Sequence, residues 1–151
     1  MLTILHGADF HLDAPFAALP ADKARQRREE QRALLDRLAD LVLLSGDLLD
    51  SGQTYQETVE ALARALGQIH APVFIAPGNH DCYGPRSVYA NTAWPDNVHI
   101  FSTVGVESVE LPELGCTVHG AAFTTPQADR SPLMGFSAPR DGRVHLMVLH
   151  G

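Results

Sequence analysis

Short apolar runs alternate with amphipathic stretches along the first half of the chain. Residues 2–5, 41–44 and 73–76 are rich in Leu, Ile, Val, Phe and Ala. Their apolar positions run together instead of alternating with polar ones, which predicts strands covered on both faces. Two helical patterns separate them. Asp22 is placed to cap the first, which extends to about Ala39 with Arg and Glu outward and Leu34, Leu35 and Leu38 inward. In the second, Thr54 and Glu57 form a capping-box pattern, and Tyr55, Val59, Leu62, Leu66 and Ile69 recur at helical spacing. Strand, helix, strand, helix, strand predicts parallel pairing with right-handed crossovers. Sites in such sheets form at the carboxyl ends of the strands, where Asp9, Asp47 and Asn79 fall.

Beyond Asp81 the texture changes. Residues 98–101, 106–111, 116–120 and 144–149 read as short strands divided by Pro- and Gly-containing turns, so this half is expected to be mostly β. Residues 124–142 contain Pro126, Pro132, Gly135, Pro139 and Gly142 and predict a long irregular connection lying beside the site.

Composition narrows the class. A length of 151 residues with 45% hydrophobic content suits one folded domain. A net charge of -7 provides no overall attraction for nucleic acid, although bound divalent cations would reverse the field within one cleft. The opening apolar residues are interrupted by His6 too soon for a signal peptide, and no run approaches a membrane span, so a cytoplasmic protein is expected. Cys82 and Cys116 are too few for a disulfide framework and read as free thiols.

Asp9 and His11 stand two apart after the first strand, where extended geometry would put both side chains on one face. Gly46 allows a tight turn that presents Asp47, and a carboxylate with two oxygens can bridge two cations. Asp47 or Asp50 could equally cap a helix, and Pro77-Gly78-Asn79 is also good turn chemistry. The remaining histidines invite structural readings: His6 as a hydrogen-bonded ring, His70 as the end of a helix, and His99, His119 and His145 as strand residues without assigned chemistry. Asp81 either steadies His80 or Asn79 or ends a turn. Tyr83, Trp94 and Phe136 read as packing or loop anchors before stacking surfaces for a base.

The ordered set Asp9-x-His11, Gly46-Asp47-x-x-Asp50 and Gly78-Asn79-His80-Asp81 resembles the signature of the calcineurin-like metallophosphoesterases. Within that superfamily the chain is most similar to the SbcD-like DNA repair exonucleases. That similarity rests on residues 5–16, on Gly46-Asp47-Leu48-Leu49-Asp50-Ser51 and on residues 94–101. The resemblance implies an α/β (α+β) sandwich of two stacked mixed β-sheets flanked by helices. It also implies two divalent metal ions. Asp9 and His11 would hold the first, Asp47 would bridge, and Asn79 and His150 would hold the second. Mixed nitrogen and oxygen ligation suits Mn²⁺, Fe or Zn²⁺, with Mn²⁺ expected for the nuclease branch. His80 would be the general acid for the leaving oxygen and Asp50 its orienting carboxylate. The implied reaction is hydrolysis of a phosphodiester, expected to be DNA, by water activated between the metals. A coiled-coil ATPase partner and a homodimer follow from the same resemblance.

The sequence also departs from the pattern. The family's later Gly-His-x-His element, which supplies a ligand to each ion, has no counterpart after His150, and the link through Ala39 and Asp40 into the second strand is short. Residues 1–151 are thus expected to be the N-terminal portion of a metallophosphoesterase domain, with downstream capping and DNA-binding regions absent. Two further readings stand beside the nuclease: a small-molecule phosphodiesterase or phosphomonoesterase, and a metal-poor fragment of weak activity.

Overall fold

The computed structural model describes residues 1–10, 20, 22–23, 26, 39–50 and 55–151. Strands β1 (Ile4–Gly7), β2 (Leu41–Ser45), β3 (Val73–Ala76) and β4 (Val98–Ile100) form a parallel sheet in that order. Strands β5 (Glu107–Leu111), β6 (Cys116–Gly120) and β7 (Val144–Val148) form a second sheet, β5 antiparallel and β6 parallel to its next neighbour. The expected α/β sandwich of two stacked sheets is present. The second sheet is mixed; the first is parallel along every described pair.

The continuous apolar runs divide by parity. Val42, Leu44, Val73 and Ile75 face helix α1 (Gln56–Gly67), which contributes Val59, Leu62 and Leu66. Leu41, Leu43, Phe74 and Ala76 face the second sheet and meet Phe101, Leu111, Val118 and Val148. Covering both faces explains why β2 and β3 are buried along their whole length. Each buried Leu, Ile or Val contributes roughly 1.5–3 kcal/mol relative to an exposed one. β1 differs from expectation in two ways. It starts at Ile4, and Ile4 and His6 are exposed because the strand lies at the edge of the described sheet.

Helix α1 begins one residue later than the capping-box pattern implies. Tyr55 is its N-cap and makes no side-chain cap bond, while Thr54 lies outside the described residues. The helix ends at Gly67, so His70 lies beyond it and not at its last turn. Asn97 closes this end by donating to the carbonyls of Leu66, Ile69 and Ala71 at 3.0–3.1 Å. Of the first predicted helix, Asp22, Lys23 and Gln26 are helical, and Leu34, Leu35 and Leu38 lie outside the described residues. The short link before β2 is closed far from the strands' carboxyl ends: Asp40 accepts from the Thr3 amide at 2.7 Å and donates its own amide to the Thr3 carbonyl at 2.9 Å.

Residues 124–142 contain no helix or strand, as the sequence predicts. Their rear half is tied to the outer face of the second sheet. Asp141 accepts from His145 Nε2–H at 2.8 Å, which leaves His145 Nδ1 to accept from His119 Nε2–H at 2.9 Å, and His119 Nδ1 to accept from the Ser108 hydroxyl at 2.7 Å. Phe136 covers His119 edge-on. Burial, reinforced by the neighbouring His145, pushes His119 below its ordinary 6.5. A depressed imidazole binds its proton more weakly folded than unfolded, so its stabilisation is complete above pH 6.5 and declines as pH falls below that value. Urea midpoints are expected to drop between pH 7.5 and 5.5, and His119→Gln is expected to show a smaller drop over the same range. Identical pH slopes for the two proteins would refute this.

Candidate metal centre

Three backbone turns at strand carboxyl ends assemble the site. After β1, Asp9 has φ 54°, and after β2, Asp47 has φ 51°, both in the left-handed region that side chains other than glycine rarely occupy. Such conformations persist where surrounding bonds impose them, and they cluster at functional sites. Here the Asp9 amide donates to the Gly46 carbonyl at 3.1 Å, joining the two turns. Gly46, with φ 71°, has no side chain because the His150 ring occupies the space where a Cβ would stand. Gly78 has the same reason: a Cβ there would collide with Asp47 Oδ1.

Asp81 organises these turns. Its Oδ1 accepts from the amides of Asp47 at 3.1 Å and Gly78 at 2.7 Å. Its Oδ2 accepts from the amides of Leu48 and Leu49 at 2.8 and 3.2 Å and from the Tyr89 hydroxyl at 2.6 Å. The carboxylate is 7% exposed, so these bonds replace water almost entirely. Burial, then the Asp81 charge and hydrogen bond and the Asp47 charge, raise the Tyr89 phenol well above its usual range, keeping it a donor. The loop after β2 is thereby locked to the loop after β3. Among the described residues neither Asp47 nor Asp50 caps a helix, the next described helix starting from Tyr55.

The donor atoms converge. Asp9, Asp47 and His150 each offer a ligand atom, and all lie within 4.8 Å of one another. His150 Nδ1–H donates to the Ser45 carbonyl at 3.1 Å, which turns Nε2 inward. That nitrogen lies 2.9 Å from Asn79 Oδ1 and 3.4 Å from Asp47 Oδ2. One nitrogen and two oxygens thus lie close together, an arrangement a cation would stabilise. The buried Asp47 also accepts from the His80 amide through Oδ1 at 3.0 Å. The site therefore fits a divalent ion held by nitrogen and oxygen. His11 lies outside the described residues.

His80 stands apart from these donors. Its side chain is 50% exposed, and Nδ1 is 3.9 Å from Asp50 Oδ1. His6 shares a hydrogen bond of 2.9 Å with Ser45 Oγ. Trp94 donates to the Tyr89 carbonyl at 3.1 Å and stacks on the Tyr89 ring, an anchor for the short helix Val88–Asn91 that bears Asp81's partner.

The sequence reading left Asp81 undecided and assigned His119 and His145 no chemistry. Asp81's part was available only through its place in Gly78-Asn79-His80-Asp81, because the amides of Asp47, Leu48 and Leu49 that it accepts from are distant in sequence. Ser108, His119 and His145 share the outward face of their sheet, but that register emerges only on pairing.

The family model described as calcineurin-like phosphoesterase matches residues 2–142. The chain belongs to that family. Its members hydrolyse phosphoesters and usually bind divalent metals, in keeping with the convergent donors around Asp47. One relative of this calcineurin-like chain is the uncharacterized metallophosphoesterase YhaO of Bacillus subtilis (strain 168). It is 27% identical over 167 aligned positions, which cover 99% of this chain and 40% of that protein. The chain thus spans less than half the length of the curated relative it matches. No helix among the described residues is long and apolar enough to cross a membrane.

Proposed function

We propose that this metallophosphoesterase is a phosphodiesterase of the DNA repair exonuclease type, acting with two divalent ions, Mn²⁺ foremost. The observation that carries the reading is the approach of Asp9, Asp47 and His150 donor atoms within 4.8 Å at the carboxyl ends of strands from both sheets. Bound divalent ions supply Lewis acidity toward a phosphate and a water nucleophile at neutral pH. Asp9, His11, Asp47, Asn79 and His150 would hold these ions. The Ser45 carbonyl sets the His150 tautomer, and the His80 amide fixes one Asp47 oxygen. His80, half-exposed at the lip and 3.9 Å from Asp50, donates a proton to the departing ester oxygen while Asp50 orients the ring.

The choice of DNA is supported by the motif resemblance to SbcD-like nucleases, which also suggests a coiled-coil ATPase partner and a homodimer. The test uses the full native polypeptide with Mn²⁺, linear duplex DNA and bis(p-nitrophenyl) phosphate. Both substrates are expected to be cleaved and both activities to disappear with EDTA. Cleavage of the chromogenic diester without loss of DNA would instead identify a small-molecule phosphoesterase.

A further inference from the structure

A cavity of about 310 Å³ lies directly behind His150, at the carboxyl ends of β6 and β7. Val104, Ala122, Phe123 and Leu149 give it an apolar lining, and Gln127, Asp129 and Arg130 of the long connection add polar groups. The wall is rigidly built. The Phe123 amide donates to the Pro77 carbonyl at 3.0 Å, its carbonyl accepts from the Tyr83 amide at 2.7 Å, and its ring meets the His150 ring edge-on at 5.7 Å. The same backbone that carries Asn79 and His80 is therefore clamped to the cavity wall. Val104, 65% exposed, leaves an apolar surface facing solvent beside polar groups able to donate and accept.

We propose that this cavity is a subsite for a flat heteroaromatic group carried on the phosphoester, seated against Phe123 and Val104 with its polar edge toward Gln127 and Arg130. The inference rests on the phosphodiesterase reading and adds what one ester arm must look like. A phosphate at the Asp47–His150 donors has an ester substituent beside the cavity, because His150 belongs to both. The volume matches the small end of ligand pockets and has room for one ring-bearing group. An apolar wall with a few polar groups on one side selects a ring whose faces are apolar and whose edge hydrogen-bonds.

Two esters with the same leaving group separate the subsite from the chemistry. In the full native polypeptide loaded with Mn²⁺, kcat/KM is measured for the p-nitrophenyl ester of thymidine 5′-phosphate and for methyl p-nitrophenyl phosphate. The thymidine ester is expected to be preferred by about tenfold or more, a typical size for filling an apolar subsite. Val104→Asp and Arg130→Ala should each bring the ratio of the two toward one. Equal turnover of both esters by the native protein would overturn the subsite. If neither ester is cleaved, the phosphodiesterase reading fails, and titration of the metal-free protein with thymidine 5′-phosphate still decides the subsite. Binding that weakens about tenfold in Val104→Asp supports it, and absence of binding, or equal binding by the variant, overturns it.

Discussion

Replacing Asp81 with alanine is expected to lower folding stability by about 3–5 kcal/mol and to abolish metal retention, although Asp81 is not among the converging ligands. The carboxylate accepts four backbone amides and one phenol. Each buried donor stranded by its removal carries a desolvation cost of about 1–3 kcal/mol, and the losses do not add fully because the loops relax together. The loops after β2 and β3 lose their common acceptor, so Asp47 and Asn79 lose their relative placement. Asp81→Asn keeps one acceptor oxygen and should recover part of the stability, while Tyr89→Phe removes a single bond and should cost about 1 kcal/mol. Urea unfolding and metal content per chain measure both effects. An alanine variant within about 0.5 kcal/mol of the native protein, the usual range of surface substitutions, would show that Asp81 merely terminates a turn.

His80→Ala is expected to reduce phosphodiester turnover by about 10²–10⁴ while metal content stays at the native level. The imidazole is half-exposed, faces Asp50, and lies outside the group of Asp9, Asp47 and His150 donors. A proton donor that touches only the leaving oxygen affects the chemical step more than the resting ligands. Asp47→Asn should behave oppositely: it weakens a shared ligand, so metal content and turnover should fall together. Metal loss from His80→Ala equal to that from Asp47→Asn would instead place His80 in the ligand set.

Much of this was legible in the chain because the relevant signals are local. The runs around Leu43 and Ile75 are continuous since both faces of their strands are covered, and Gly46 and Gly78 mark places where backbone must approach a side chain. Other features were not. The capping-box reading missed by one residue, since Tyr55 begins the helix without a side-chain bond. His70 was read as a helix end, yet the helix stops at Gly67, and Asn97, nearly thirty residues later, donates to the Leu66 carbonyl and to those of Ile69 and Ala71 beyond it. The packing reading of Trp94 and Phe136, by contrast, was legible, and Trp94 does pack on Tyr89 and Phe136 on His119.

The sequence by itself determined the order of the strands and the strand ends that carry polar residues, and it singled out Asp9, His11, Asp47, Asn79, His80 and His150 as candidates, because these depend on apolar runs and short motifs. Tertiary structure alone decided that Asp81 is the shared acceptor of two loops, that His150 presents Nε2 inward, and that Phe123 and Val104 wall a cavity behind it. Those relations link residues separated by tens of positions along the chain. Their energies come from backbone amides, ring tautomers and excluded water, none of which has a local residue pattern to announce it.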